Sequence, residues 1–252
     1  MSNTSHDPLW NRLAVLPNRP AIDPSALDGL PAPARRFLTA SLASGVPIPA
    51  RVRLTMHGTI RLKLDGSWLP FTAEQLLAPP VGFVWRARVG KGPLRFSGSD
   101  RYADGAGAMD FRLWGLVPVA RASNADVTRS ARHRLAAESF WLPSSLLPSS
   151  SACWRGLDND HAEVNVTIDG ETVRVILGVD DAGTVRSVHL DRWGAPEGGT
   201  AALHPFGGLV EQPRRFGPLV IPTRVRVGWF HGTDRADHGE FFRAVIDHAE
   251  LG

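Results

Sequence analysis

The strongest constraint on the fold is a series of short segments in which apolar and polar residues alternate, joined by tight turns. Val52, Leu54 and Met56 alternate with polar residues, which is typical of a strand with one buried face. Asp65-Gly66 and Asp104-Gly105 mark hairpin turns between such segments. Strands joined by turns this short pair antiparallel. The region before residue 115 therefore predicts an antiparallel meander.

Further strands are predicted between residues 153 and 192, and again within 219–230 and 239–249, whereas the Gly- and Pro-rich residues 194–215 predict a loop. A helix is predicted within 34–45, and a second at about 126–141, with Asp126 as its cap. The sequence thus predicts a mainly β protein: a single curved antiparallel sheet, or half-barrel, with an N-terminal helix and an inserted helix. Residues 1–23 are expected to form a flexible arm, and 24–252 a single domain.

Composition excludes several function classes. The 252 residues are 43% hydrophobic and 21% charged, as in ordinary globular proteins. The net charge is only +3. The arginines of the chain are scattered among acidic residues instead of forming a basic stripe, which does not favour a nucleic-acid partner. No apolar run is long enough for a membrane span. One cysteine and no recognisable signal peptide favour a cytoplasmic protein.

Several blocks resemble an uncharacterised bacterial family of domains of unknown function, among them MDFRLWGLVPVARASNADVTRSARHRLAAESFW, LDRWGAP and IPTRVRVGWFHGTDR. The order of one early helix, a long meander and an inserted helix is also similar to the half-barrel of lipoprotein carrier proteins. That half-barrel occurs as well in a cytosolic pigment-biosynthesis enzyme that works without a cofactor. The resemblance implies a concave pocket, but function does not follow from fold alone.

No motif indicates a cofactor or a metal. The chain lacks GxGxxG, a P-loop, HExxH, CxxC and GxSxG, and its nine histidines are dispersed. We therefore expect no cofactor and no metal site. Cys153 is interpreted as a small apolar residue rather than a nucleophile.

The inserted helix carries the first candidate for acid–base chemistry. Glu138 follows Arg134 by four residues and precedes Trp141. The pair is either an exposed ion pair on a helix surface or part of a pocket, where burial would suit Glu138 to acid–base work. Asp100 and Tyr102, which share one face of a strand, are the other candidate catalytic residues.

The candidate ligand-binding residues are aromatic and charged side chains on the predicted strands and the inserted helix. A Glu74–arginine pair would anchor a ligand if it lay inside the sheet and would be solvated if it lay outside, and the sequence leaves both open. Eight tryptophans against one tyrosine suggest an aromatic pocket. The ligand-binding candidates are Glu74, Trp85, Arg86, Arg88, Arg112, Trp114, Arg134, Trp141, Arg192 and Trp193.

These features favour a protein that binds a hydrophobic small molecule or lipid-like ligand in the concave face. The alternative is a cofactor-independent cyclase or isomerase of secondary metabolism, and a third class is an interaction protein with a filled concavity. The sequence names neither the ligand nor a reaction, and it leaves the oligomeric state open.

Overall fold

The computed structural model describes residues 7–148 and 152–252. Its main feature is a 13-stranded antiparallel sheet in the order β6-β5-β4-β3-β2-β1-β13-β12-β11-β10-β9-β8-β7, which confirms the predicted fold class. The strands are β1 (Val52–Ile60), β2 (Leu69–Ala78), β3 (Gly82–Val89), β4 (Phe96–Ala103), β5 (Ala106–Leu113), β6 (Val117–Ala122), β7 (Ala152–Gly156), β8 (His161–Ile168), β9 (Glu171–Val179), β10 (Val185–Gly194), β11 (Ala202–Phe216), β12 (Leu219–Trp229) and β13 (Glu240–Leu251).

The sheet is one continuous curled layer made of two limbs. β1 pairs with β13, so the first and last strands of the chain lie together in the middle of the sheet. One limb runs from β2 to β6 and the other from β12 back to β7. Every neighbouring pair is antiparallel, and most of the turns between strands are short, as the meander predicts.

Four α-helices accompany the sheet in the part of the chain that the structure describes. They are α1 (Pro8–Ala14), α2 (Ala32–Ser41), α3 (Ala125–Ala137) and the four-residue α4 (Ala236–Gly239), and a 3-10 segment, Glu138–Trp141, continues α3. Helix α3 contacts β4 and β5 on one limb and β9 and β10 on the other. It therefore bridges the two limbs. Within the described residues, no helix has the length and apolar character that crossing a membrane requires.

Part of the predicted flexible arm is packed. Helix α1 buries Trp10 and Leu13 in a small cluster with Leu76 and Val84 of the sheet. The side chain of Asp7 caps the helix by accepting bonds from the Leu9 and Trp10 amides. Apolar contacts with the sheet thus hold residues that the Pro-rich composition assigned to a loose arm, and residues 1–6 lie outside the described range.

The inserted helix lies where it was predicted, with a different cap. Asn124, not Asp126, is the cap, and its side-chain oxygen accepts the Val127 amide at 2.9 Å. Asp126 instead accepts the indole N–H of Trp193 at 2.8 Å. Both residue types cap helices, so tertiary contacts rather than propensity decide which one does.

The predicted loop at 194–215 is wrong over most of its length, because residues 202–216 form β11. Two of its glycines are required by the packing of the neighbouring strands. A Cβ on Gly208 would lie 1.9 Å from the Arg226 carbonyl oxygen, and one on Gly207 would lie 2.0 Å from that of Val188. These glycines permit close approach of both neighbouring strands. Strand β6 was also missed.

Candidate functional site

A cavity of about 440 Å³ lies between the concave face of the sheet and the inserted helix. Its walls come from both limbs, since β3 to β6 supply one side and β10 to β13 the other. This volume lies in the range of small-molecule sites. The lining is apolar apart from four charged side chains: Ile60, Leu62, Trp85, Val89, Phe96, Met109, Phe111, Val119, Ala120, Ala137, Phe140, Trp141, Val188, Phe206, Val225, Val227, Phe241 and Phe242, with Asp100, Arg134, Glu138 and Arg192.

Aromatic rings form a connected wall on one side of the cavity. Phe242 stacks on Phe71 with ring centroids 5.1 Å apart. Trp85 packs edge-on against Phe71 at 5.8 Å and lies 6.1 Å from Phe111. These separations lie within the range in which aromatic pairs attract. The rings therefore support one another and give the cavity a firm apolar surface.

A buried ion cluster forms the polar end of the cavity. Arg134 donates to Glu138 Oε1 through Nε at 2.7 Å and to Asp100 Oδ2 through Nη1 at 2.7 Å. Gln75, whose side chain is fully buried, donates to Glu138 Oε2 at 2.5 Å. The side chains of Arg134, Asp100 and Glu138 are only 14%, 20% and 15% exposed. Glu138 is thus a pocket carboxylate, and each of its oxygens accepts one hydrogen bond from the protein.

Arg192 lies near this cluster without joining it. Its guanidinium packs over the rings of Phe206 and Trp229, at 4.6 and 5.3 Å. Nη2 makes one long bond to Ser130 Oγ at 3.4 Å, and the buried Nε has no partner among the described residues.

The two arginines differ in charge environment. Burial acts to lower the pKa of Arg134, but Glu138 and Asp100 outweigh it, so that pKa lies above its ordinary value. For Arg192, burial and then the charge of Arg134 lower the pKa to about 10. Both are positive at neutral pH, and Arg192 is the less compensated.

A second network ties the inserted helix to the sheet. Glu171 accepts from Arg129 Nε at 3.0 Å, pairs with Arg132, and lies 3.2 Å from His133 Nε2. The Trp193 amide donates to His133 Nδ1 at 3.1 Å. Burial lowers the pKa of His133 more than the Glu171 charge raises it, so His133 is neutral at pH 7.

Tyr102 belongs to that network and not to the cavity lining. Its hydroxyl donates to Asp169 Oδ2 at 2.6 Å and accepts from Arg132 Nε at 2.9 Å. Burial first, and then the bond to Asp169, raise the pKa of Tyr102 to about 12. With its hydroxyl engaged on both sides, Tyr102 holds structure together rather than lying beside a ligand.

Four predicted binding residues lie on the convex face. Glu74, Arg86, Arg88 and Arg112 line an open depression there and are not part of the cavity lining, which decides the face that the sequence left open for the Glu74–arginine pair. The register explains it. Glu74 lies opposite Arg86 in the same row as Ser99 and Asp110, while Gln75, Trp85, Asp100 and Met109 form the adjacent row, and adjacent rows face opposite sides.

Two of the four tryptophans predicted to bind a ligand lie outside the cavity. Trp114, on the turn between β5 and β6, is 66% exposed and donates to the Pro93 carbonyl at 2.9 Å. Trp193 is fastened to the start of α3 through Asp126 and packs under Arg129, whose guanidinium lies 4.2 Å from the ring. Of the predicted site residues, the cavity brings together Asp100, Glu138, Trp85, Arg134, Trp141 and Arg192.

Sequence reasoning missed Gln75 and the phenylalanines of the wall. Gln75 follows Phe71 and Ala73 on the apolar face of β2. A polar residue on such a face is the signal that could have identified it. Phe242 and Phe206 reach the cavity from β13 and β11. Their position there depends on how the strands pair across the sheet. In the described parts of the chain, no three His, Cys, Asp or Glu side chains could hold a metal ion.

Comparison with known proteins now gives the family. A family of unknown function, DUF6544, matches residues 20–241. The chain belongs to this family. The expected membership of an uncharacterised family is confirmed, and no curated protein matches the chain.

This DUF6544 protein is similar to solved structures that belong to other families. One is a LolA superfamily protein from Nitrosomonas europaea, with 12% identity and a TM-score of 0.46 over 87% of this chain and 93% of that one. Another is a DUF1329 family protein from Desulfovibrio piger, with 12% identity and a TM-score of 0.46 over 91% of this chain and 94% of that one.

Proposed function

We propose that this protein binds a hydrophobic small molecule or lipid-like ligand in the cavity between the sheet and the inserted helix. The observation that carries the proposal is the cavity itself: about 440 Å³, with aromatic and aliphatic walls and a few polar groups gathered at one end. Sites for small organic ligands combine these features. An interaction protein with a filled concavity does not require such a space.

The alternative, a cofactor-independent enzyme, depends on Glu138 or Asp100 acting as acid or base. Both oxygens of Glu138 accept hydrogen bonds, from Arg134 and from Gln75, and Asp100 is paired with Arg134 as well. A general base must lie within hydrogen-bond reach of the proton that it removes, and these carboxylate oxygens would have to share or break their bonds to Arg134 and Gln75 to do so. The ion cluster therefore favours binding over catalysis.

Native mass spectrometry of the purified protein, followed by extraction of the released compound, tests the binding proposal. We expect an apolar compound to be retained. Ala120 lines the cavity from the edge strand β6, so Ala120→Trp should reduce retention by filling space. Arg121→Trp on the same strand, opposite Asp110 on the convex face, is the control. Equal retention by both variants would contradict the proposed cavity.

Glu138→Gln separates binding from catalysis. Because the amide keeps the size of the side chain and can bond to its neighbours, we expect the affinity for an extracted ligand to remain within about threefold of the original. If the extracted compound is chemically converted by the native protein and not by this variant, the enzyme alternative is correct instead.

A further inference from the structure

The two arginines at the charged end of the cavity differ in their ion pairs. Arg134 bonds to two carboxylates at 2.7 Å each. Arg192, at the same end of the cavity, forms no ion pair with a described carboxylate, and its single side-chain bond is to a neutral serine at 3.4 Å. The cavity thus contains one arginine that no carboxylate of the described residues pairs with directly, although Asp100 and Glu138 act on it at longer range.

A guanidinium in this position is unfavourable unless hydrogen-bond acceptors satisfy its N–H groups. Leaving a buried donor without a hydrogen-bond partner is unfavourable, and more so when the group is charged. Arginine presents its N–H groups as a planar fork that matches two oxygens of one acidic group. The buried Nε of Arg192, which has no partner among the described residues, belongs to that fork.

A second donor lies on the opposite wall. The indole N–H of Trp85 is also buried and without a partner in residues 7–148 and 152–252, although Trp85 lines the cavity. Buried indole N–H groups usually find an acceptor. A ligand with acceptor oxygens would satisfy one or both of these donors, whereas a pure hydrocarbon would satisfy neither.

We propose that the ligand is an amphiphile with one acidic head group, whose oxygens accept hydrogen bonds from Arg192 while its apolar tail lies along the aromatic wall. This inference rests on the proposed function and adds the chemical class of the ligand. The two arginines and two carboxylates of the cavity sum to zero charge. Asp100 and Glu138 nevertheless do not prevent head-group binding, because both are bonded to Arg134 rather than to Arg192 and leave the Nε donor of Arg192 available.

Isothermal titration calorimetry with three ligands of equal tail length tests the head group. Dodecanoate and dodecyl phosphate carry acidic heads of different chemistry, and dodecanol carries a neutral one. We expect dodecanoate or dodecyl phosphate to bind at least about 10-fold more tightly than dodecanol, because a hydrogen bond to a charged group contributes more than a neutral one. The stronger of the two acids identifies the head group as carboxylate or phosphate.

Arg192→Met assigns the preference to one residue. The substitution removes the guanidinium donors and keeps a long, unbranched side chain. We therefore expect acid binding to weaken about 10- to 100-fold and dodecanol binding to stay the same. Arg112→Met on the convex face removes an arginine outside the cavity and should change neither. Circular dichroism establishes that each variant is folded.

The outcomes are distinguishable. Equal affinity of the native protein for the acids and the alcohol would overturn the head-group proposal and leave the cavity proposal standing. Equal weakening of acid and alcohol by Arg192→Met would do the same. Failure of all three amphiphiles to bind would count against the proposed function itself. If Arg192→Met does not fold, the ligand series on the native protein still decides.

Discussion

Two clusters of the same composition lie on opposite faces of the sheet. On the concave face Arg134 lies between Asp100 and Glu138, and its two hydrogen bonds measure 2.7 Å. On the convex face Arg53 lies between Glu74 and Glu250, at 3.4 and 3.5 Å. Each is one arginine with two carboxylates.

Their surroundings separate them. The side chains of Arg53, Glu74 and Glu250 are 42%, 39% and 66% exposed, and water screens such pairs so that they contribute little. The concave cluster lies beside an apolar cavity, where an unpaired charge is very unfavourable. Charged residue types alone therefore do not identify a site. Burial decides whether the same three groups form a solvated surface cluster or a buried polar anchor.

The largest expected effect is that of Arg134→Met. Because two carboxylates would remain unpaired in a largely buried place, we expect the free energy of unfolding to fall by about 3–5 kcal/mol. Urea denaturation measures it. Arg53→Met removes the matching arginine from the convex cluster and should lower stability by less than about 1 kcal/mol. Similar losses for both variants would invalidate the distinction between the two faces.

The convex face is not uniformly solvated, because α1 covers part of it. Leu13 is fully buried there, in the cluster with Leu76 and Val84. Leu13→Ala should lower the free energy of unfolding by about 2–3 kcal/mol through a cavity at this site. Leu9→Ala, in the same helix and only partly buried, is the control. No change in the denaturation midpoint for Leu13→Ala would mean that the arm is loose in solution.

Tyr102→Phe sharpens the comparison within the concave face. The change removes the hydroxyl that bridges Asp169 and Arg132, so we expect a loss of about 1–2 kcal/mol in the free energy of unfolding. Ligand affinity, measured by calorimetry, should be unchanged because Tyr102 does not line the cavity. A marked loss of affinity would return Tyr102 to the list of binding residues.

His133 gives the smallest effect, which depends on pH. Its pKa is lowered by burial in the folded protein, so the unfolded chain takes up a proton near pH 6.5 and the folded chain does so only at a lower pH. Stability is therefore highest above that pH and falls as the pH is lowered from 7 to 5, by at most about 1.4 kcal/mol per unit from this residue.

Denaturation of His133→Asn at pH 7 and pH 5 measures that contribution. The asparagine oxygen lies near the position of Nδ1 and can still accept the Trp193 amide, but it does not titrate, so the variant should lose less stability on acidification than the native protein. The pKa of Glu171 is lowered because the bonds from His133, Arg129 and Arg132 outweigh its burial, and its contribution is lost only at more acidic pH. Equal losses for both proteins would show that folding does not change the pKa of His133.

The sequence predicted much of the fold because its signals are local. Alternation marked most of the strands, and the inserted helix lies at residues 125–137 with a 3-10 continuation to 141, against a prediction of 126–141. Strand β11 could not be predicted in the same way. Its glycines have the local appearance of a loop, yet they are needed for contacts with strands that are distant along the chain.

The amino-acid sequence alone determined which residues share a face: Asp100 with Tyr102, Glu74 apart from Gln75, Asp110 with Arg112. That follows from the two-residue period of a strand, which each segment carries within itself. Only the tertiary structure decided which face is concave, and so placed Gln75 and Asp100 beside a cavity and Glu74 and Arg86 outside. The physical reason is that burial depends on the curl of the whole sheet and on the helix laid across it, and no short segment contains that information.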